Sequence, residues 1–212
     1  MTKKLIFCLG TGRCGTSSMA ALLNSQNSAL FTHELFPILP WEEESKRSEH
    51  AKQLVQFKFL QVTHQAHNCN IVGDAGSYYL PYVEVFIRSL ANNGDFDLKF
   101  IILKRDKTKT VESFKTKFAR QNNNPLQNHN GLKNEWDEAF PKYNNFWTLE
   151  ESIEKYYDDY YNVSEKLAKK YPSIVKIFNT EVLNTEEGLV SLFKHLDINN
   201  PKLIKNIRKN TG

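Results

Sequence analysis

The sequence predicts an α/β fold in three layers, with helices on both faces of a central, mainly parallel sheet of about five strands. Short apolar runs rich in β-branched and aromatic residues alternate with longer segments of helical periodicity. The runs are continuously apolar, which is typical of strands buried on both faces. The predicted strands lie at 4–9, 29–32, 70–73, 99–104 and 174–178. The predicted helices lie at 16–25, 45–66, 79–92, 108–121, 149–170 and 186–196.

The length and composition fit a single domain over residues 1–212. Hydrophobic residues make up 40% of the chain and charged residues 25%, which excludes a disordered polypeptide. The net charge of +4 comes from scattered basic residues, which favours small anionic ligands over nucleic acid. Three unevenly spaced cysteines predict neither a disulfide framework nor a zinc site.

The N-terminal residues do not have the pattern of a signal peptide. The apolar stretch Leu5–Leu9 is short, and glycines and Arg13 follow it where a cleavage site would stand. No apolar run is long enough to span a bilayer. We therefore expect a cytoplasmic protein with no membrane partner, and the sequence leaves its oligomeric state open.

The segment 120–148 interrupts the alternation of strands and helices. It is long and polar, and it carries aromatic residues up to Trp147. Long insertions between regular elements often cover binding sites. The segment is therefore predicted to be a substrate-facing lid, with an ordinary surface loop as the alternative.

The turn after the first predicted strand has the pattern of a phosphate-binding loop. Gly10 and Gly15 are spaced as in the nucleotide-kinase motif G-x-x-x-x-G-K-[ST], and Ser17 fills its hydroxyl position. In such a turn, backbone N–H groups and the positive end of the following helix converge on an anion. Thr16 occupies the lysine position, whereas Arg13 brings a cation into the loop. This favours an anionic nucleotide other than ATP; the alternative is a β–α turn that uses glycine only for its geometry.

Arg105 and Ser113 form a second candidate anion-binding element. Arg105 directly follows the strand 99–104, and ligands of open α/β sheets bind beyond the carboxyl ends of the strands. Ser113 lies two turns into the next predicted helix. An arginine fork and a hydroxyl suit a phosphate monoester, although Arg105 could instead pair with Asp106 while Ser113 faces solvent.

Together these segments resemble the sulfotransferases that use 3′-phosphoadenosine 5′-phosphosulfate (PAPS) as the sulfuryl donor. The segment 12–18 resembles the family's 5′-phosphosulfate loop, commonly P-[KR]-S-G-T-T, although glycine and cysteine replace the proline and the first serine. Arg105-Asp106 resembles the Arg–Asp pair of its 3′-phosphate motif, in which a serine follows eight residues after the arginine, as Ser113 does here. Residues 174–198 resemble the family's strand, E-x-L turn and closing helix.

The resemblance implies which residues bind PAPS and its product 3′-phosphoadenosine 5′-phosphate (PAP). No metal is implied. The 5′ end would be bound by Gly12, Arg13, Cys14, Gly15, Thr16, Ser17 and Ser18. The 3′-phosphate would be bound by Arg105 and Ser113 and, through a weaker match to an Arg-Lys-Gly loop, by Arg208 and Lys209.

The resemblance also implies sulfuryl transfer to a hydroxyl or amine of a small molecule, a carbohydrate or a peptide tyrosine. Arg13 would stabilise the leaving group. Glu34 stands 21 residues after Arg13, which matches the catalytic glutamate of the tyrosylprotein-type relatives. His33 is the neighbouring candidate base, and we expect only one of the two to face the cleft because neighbours on a strand point to opposite sides.

Three alternatives remain open at this stage. The chain could be a P-loop nucleotide kinase or another NTPase, which Thr16 in place of the lysine disfavours. It could be a catalytically inactive PAP-binding relative, because many relatives carry a lysine or histidine just after the third strand, and Ala75 stands where a lysine is expected. Glu34 could be a surface carboxylate or a helix cap before Pro37, in which case Asp74 is the next candidate base.

Overall fold

The central sheet contains five parallel strands. The computed structural model describes residues 2–90, 95–121, 125–127 and 135–207. The strands are β1 (Lys3–Leu9), β2 (Ala29–His33), β3 (Ile71–Ala75), β4 (Phe96–Lys104) and β5 (Val175–Asn179). Their order is β2-β3-β1-β4-β5, and every neighbouring pair is parallel. The predicted parallel sheet is thus confirmed.

Helices cover both faces of this sheet. They are α1 (Thr16–Asn24), α2 (Glu49–His64), α3 (Val83–Leu90), α4 (Lys107–Gln121), α5 (Glu135–Glu138), α6 (Leu149–Lys170) and α7 (Glu186–His195). One apolar core joins the sheet to α2, α3, α4 and α6, and a second core joins it to α1 and α7. The three-layer architecture is therefore confirmed.

Strand β1 shows how the apolar pattern specifies two cores. Leu5, Phe7 and Leu9 pack into the larger core, while Ile6 and Cys8 pack into the smaller one. All five side chains are fully buried, and a large apolar side chain contributes about 1.5–3 kcal/mol when it is fully buried. A continuous apolar run therefore places this strand at the centre of the sheet.

Three predicted boundaries differ from the structure by three residues or more, each for a local reason. Helix α2 begins at Glu49 rather than at 45 because the Ser48 side chain caps it, accepting a hydrogen bond from the Ala51 N–H. Residues 77–82 form a 3₁₀ turn that contains Pro81, and α3 begins only after it. Strand β4 begins at Phe96 rather than at 99 because residues 96–98 already pair with β1.

The crossovers create a crevice at the carboxyl ends of β1 and β4. Strand β1 continues into α1 in one outer layer, whereas β4 continues into α4 in the opposite layer. Adjacent strands whose connections leave on opposite faces form the usual ligand site of an open α/β sheet. The two predicted anion-binding elements follow these two strands and thus lie side by side.

Candidate functional site

A cleft of about 500 Å³ opens at the carboxyl ends of β1 and β4. Its lining includes every residue from Gly12 to Ser18, together with His33, Glu34 and Arg105. Ligand pockets commonly measure about 300–1,000 Å³. The structure therefore brings most of the predicted site residues into one cavity of suitable size.

The loop after β1 adopts left-handed backbone conformations that allow it to enclose an anion. Gly12 and Gly15 have φ angles of 88° and 96°, and Arg13 between them has a φ of 57°. Turns of this kind direct successive N–H groups toward one point and form anion-binding concavities. Gly15 is also the N-cap of α1 and supplies no side-chain cap, so the helix N-terminus is available to an anion. The glycines avoid the steric cost that a side chain has at these angles.

The small side chain of Cys14 packs inside this loop. Its side chain is fully buried, and its Sγ occupies the space where a Cβ on Gly10 would lie. Burial raises the pKa of the Cys14 thiol to about 11, so the thiol is protonated at neutral pH. We therefore assign it a packing role within the loop.

Arg13, Arg105 and Ser113 are joined by two hydrogen bonds. The Arg105 Nη1 donates to the Arg13 carbonyl oxygen over 2.8 Å. The Arg13 Nε donates to Ser113 Oγ over 2.9 Å. Arg105 thus fixes the loop backbone, and Ser113 orients the Arg13 guanidinium. These two hydrogen bonds connect the predicted residues of the two anion-binding elements.

Four buried tyrosines of α6 hold the backbone around the cleft, and sequence analysis did not identify them. We call Tyr156, Tyr157, Tyr160 and Tyr161 the α6 tyrosine cluster. Their hydroxyls donate to the carbonyl oxygens of Thr11, Arg105, Ser77 and Leu103, respectively, and Tyr160 also accepts from the Gly10 N–H. Burial raises the pKa of all four, which keeps them neutral and able to donate.

His33 and Glu34 both line the cleft, so the expectation that only one of them faces it is wrong. Strand β2 ends at His33, and Glu34 has a φ of 57°; the alternation of a strand therefore does not extend to Glu34. The two side chains lie on the same side, with 3.8 Å between His33 Nδ1 and Glu34 Oε2. His33 Nε2 is 3.3 Å from Thr16 Oγ1 in the loop. The two candidate bases thus form a pair at the cleft.

The surroundings of Glu34 raise its affinity for protons. Burial raises the pKa of the Glu34 carboxyl, the charges of His33 and Lys117 lower it, and Asp74 raises it further. The net direction is upward. A carboxylate with a raised pKa is a stronger base than an exposed one, which suits it to accept a proton.

Asp74 is a structural carboxylate and does not belong to the cleft lining. It is fully buried and accepts hydrogen bonds from the side chains of Thr32, Tyr78 and Tyr79 and from the Leu35 N–H. The buried Lys58 donates to the Leu35 carbonyl oxygen. This network fixes the chain directly after Glu34, so Asp74 is not placed to act as the base.

Ala75 supplies only its backbone to the site. Its side chain is fully buried, and its carbonyl oxygen accepts a hydrogen bond from the Glu34 N–H over 2.8 Å. Two lysines of α4 line the cleft instead, Lys109 and Lys117. Sequence analysis did not single them out, although both lie four residues from Ser113 and hence on its side of the helix.

The C-terminal part of the chain closes another side of the cleft. Thr180 Oγ1 donates to the Cys14 carbonyl oxygen over 2.8 Å, and Leu183 and Ile207 are part of the lining. Arg208 and Lys209 lie outside the described residues. Of the predicted lid, residues 122–124 and 128–134 also lie outside them, whereas Phe140 lines the cleft.

Residues 2–90, 95–121, 125–127 and 135–207 contain no group of three or more histidine, cysteine or acidic residues placed to hold a metal ion. Within the same ranges, no helix combines the length and apolarity that crossing a membrane requires.

Two of the solved structures that share this architecture are sulfotransferases. One is the sulfotransferase from Alicyclobacillus acidocaldarius, with a TM-score of 0.52 and 14% identity over 98% of this chain and 87% of the other. The other is the sulfotransferase domain from the curacin biosynthetic pathway, with a TM-score of 0.55 and 14% identity over 92% and 74% of the two chains. The chain has the sulfotransferase fold. The resemblance inferred from its motifs is therefore confirmed for the fold.

The likeness to sulfotransferases is one of three-dimensional structure. No protein-family model and no curated protein sequence matches the chain. Many functions can occupy one fold, so the reaction has to be argued from the side chains of the site.

Proposed function

We propose that this protein is a PAPS-dependent sulfotransferase that acts on a hydroxyl or amine acceptor. One observation carries the proposal: the loop 12–18, Arg105 and Glu34 line a single cleft at the carboxyl ends of the strands. The site thus combines an anion-binding loop, a second cation for a separate phosphate and a carboxylate base. The sulfotransferase fold supports this assignment.

The donor set of the cleft fits a nucleotide with anionic groups at both ends. Among the described residues that line the cleft, the basic side chains of Arg13, Arg105, Lys109 and Lys117 outnumber the acidic ones of Glu34 and Glu181. Loop 12–18 and the N-terminus of α1 would hold the 5′ end, with Arg13 as the cation. Arg105 donates one hydrogen bond to the Arg13 carbonyl oxygen. The other N–H groups of its planar guanidinium would bind the 3′-phosphate.

PAPS, when bound, supplies a sulfuryl group on a phosphate leaving group. In the proposed reaction, the acceptor oxygen or nitrogen forms a bond to sulfur while the bond between sulfur and the bridging phosphate oxygen breaks. The electron pair of the broken bond stays on PAP, and the acceptor proton passes to Glu34. Arg13 and the loop N–H groups stabilise the negative charge that develops on the phosphate oxygen.

His33 is the second candidate for the base. Its Nε2 lies 3.3 Å from Thr16 Oγ1 and its Nδ1 lies 3.8 Å from Glu34 Oε2. The imidazole could therefore accept the proton while Glu34 stabilises the resulting imidazolium. We favour Glu34 because it stands 21 residues after Arg13, as the catalytic glutamate of the tyrosylprotein-type relatives does, and because burial raises the pKa of its carboxyl.

A transfer assay on a mixture of acceptors tests the proposed function. The protein is incubated with PAPS and a pooled metabolite extract, and mass spectrometry detects products that have gained one SO₃ group. We expect such products together with PAP. We also expect transfer to persist in excess EDTA, because Walker-type sites hold Mg²⁺ against β- and γ-phosphates, whereas PAPS has no γ-phosphate.

Two outcomes would replace the proposal with one of the alternatives. ATP hydrolysis that requires Mg²⁺ would favour a nucleotide kinase or NTPase. PAP binding without transfer to any acceptor, including peptide tyrosine and carbohydrate, would favour a catalytically inactive relative.

A further inference from the structure

We propose that Lys117 is a catalytic residue that contacts the sulfuryl oxygens of the donor, so that α4 supplies the cation that Ala75 cannot. This inference rests on the proposed function. It assigns the residue that stabilises the transferred group itself, in addition to Arg13, which acts on the leaving group.

Three polar residues of α4 are evenly spaced along the helix. Lys109, Ser113 and Lys117 follow one another at four-residue intervals and therefore share one side of the helix. Ser113 Oγ contacts Arg13 Nε over 2.9 Å, which shows that this side is turned toward the loop. Both lysines line the cleft.

The two cleft-lining lysines of α4 differ in their position along the cleft. Eight residues of α-helix span about 12 Å at 1.5 Å per residue, so Lys109 and Lys117 start from different places along the cleft. Lys109 lies in the first turn of α4, four residues after Arg105, to which the 3′-phosphate is assigned. Lys117 lies two turns further along the cleft.

Lys117 is linked electrostatically to both the base and the loop. Its pKa is lowered by burial, raised by Glu34 and lowered by Arg13. The Lys117 ammonium therefore lies within electrostatic reach of both the proposed base and the proposed leaving-group cation. In an in-line transfer, the transferred group occupies the space between the atom that loses its proton and the leaving oxygen.

The Lys117 ammonium is available to a ligand. In contrast to Lys115 on the same helix, which pairs with Glu150, Lys117 has no carboxylate of the described residues within 4.0 Å. Its side chain is half-buried. A partly desolvated cation of this kind interacts more strongly with an anionic ligand than an exposed one does.

Equilibrium binding of PAPS and of PAP to matched variants tests this inference. The two ligands differ only in the sulfuryl group, so a side chain that contacts this group affects only the affinity for PAPS. Lys117→Met keeps the aliphatic part of the side chain and removes the charge. We expect it to weaken PAPS binding about 10–100-fold, as for the loss of a charged hydrogen bond, while PAP binding stays within about twofold of wild type.

Two variants complete the experiment. Lys117→Arg restores a cation and should recover most of the preference for PAPS. Lys115→Met, on the exposed side of the same helix, should bind both ligands as the wild type does. Thermal unfolding of each variant with and without PAP verifies that the fold and the nucleotide site are intact.

The outcomes separate this inference from the proposed function. If Lys117→Met weakens PAPS and PAP equally, or weakens neither, the inference is wrong while the proposed function stands. If the wild-type protein binds neither ligand, the proposed function itself is overturned and the inference falls with it.

Discussion

At the scale of single residues, the Glu34 backbone decides which groups face the cleft. Its left-handed conformation ends the alternation of β2 and turns its carboxylate to the same side as the His33 imidazole. The resemblance to the tyrosylprotein-type sulfotransferases, through the distance from Arg13, implied Glu34 as a candidate, and Glu34 lies in the cleft lining. No sequence pattern specifies the φ angle of a single residue at a strand end, so the pairing of Glu34 with His33 could not be predicted.

Replacement of Glu34 by glutamine tests its role as the base. The change keeps the size of the side chain but removes its ability to accept the acceptor proton. We expect Glu34→Gln to lower kcat by about 10²–10⁴-fold, with PAP affinity near that of the wild type. The raised pKa of Glu34 should also appear in the wild type as a loss of kcat/KM when the pH falls through it, because the carboxyl then becomes protonated.

His33→Gln is the matched comparison for this variant. It should alter stability or acceptor binding while the acid limb of the pH profile remains. If Glu34→Gln keeps most of its activity and His33→Gln loses it, the histidine is the base and our assignment is wrong.

At the scale of elements, α6 supports the site without lining the cleft. The sequence predicted this helix at 149–170, and the structure confirms those bounds. Its tyrosines are recognisable as a helical stripe of large side chains, but a stripe of this kind usually signals packing. Their hydroxyl partners lie up to 150 positions away in the chain, and such distant contacts leave no local pattern in a single sequence.

Removal of one hydroxyl from the α6 tyrosine cluster tests its contribution to stability. Tyr160→Phe leaves the Gly10 N–H without its buried acceptor. An unsatisfied buried group costs about 1–3 kcal/mol, so the free energy of unfolding, measured by urea titration, should fall by that amount. PAP affinity should fall as well because the loop that follows Gly10 loses a fixed point.

Val163→Ala on the exposed side of α6 is the control for this prediction. Its side chain is 41% exposed, and substitutions of this kind usually change stability by less than about 0.5 kcal/mol. Equal stability of Tyr160→Phe and the wild type would show that the hydroxyl does not hold the loop.

At the scale of the whole molecule, the topology creates the site. Five apolar runs and the intervening helices were sufficient to predict a parallel sheet, but not the neighbours of each strand. The structure places β1 beside β4, which brings the loop 12–18 next to Arg105. The strand order depends on long-range pairing, whereas the motifs at the strand ends are local; the sequence therefore predicted the parts of the site better than their arrangement.

The central claim, that this cleft recognises a nucleotide bearing a 3′-phosphate, is tested most directly by calorimetric titration of PAP and of adenosine 5′-phosphate, which lacks the 3′-phosphate. We expect the wild type to bind PAP at least about tenfold more tightly, since each 1.4 kcal/mol gives a factor of ten. Arg105→Ala should erase this difference, whereas Lys115→Ala should preserve it. Equal wild-type affinity for the two ligands, or a preference for ATP, would contradict the account.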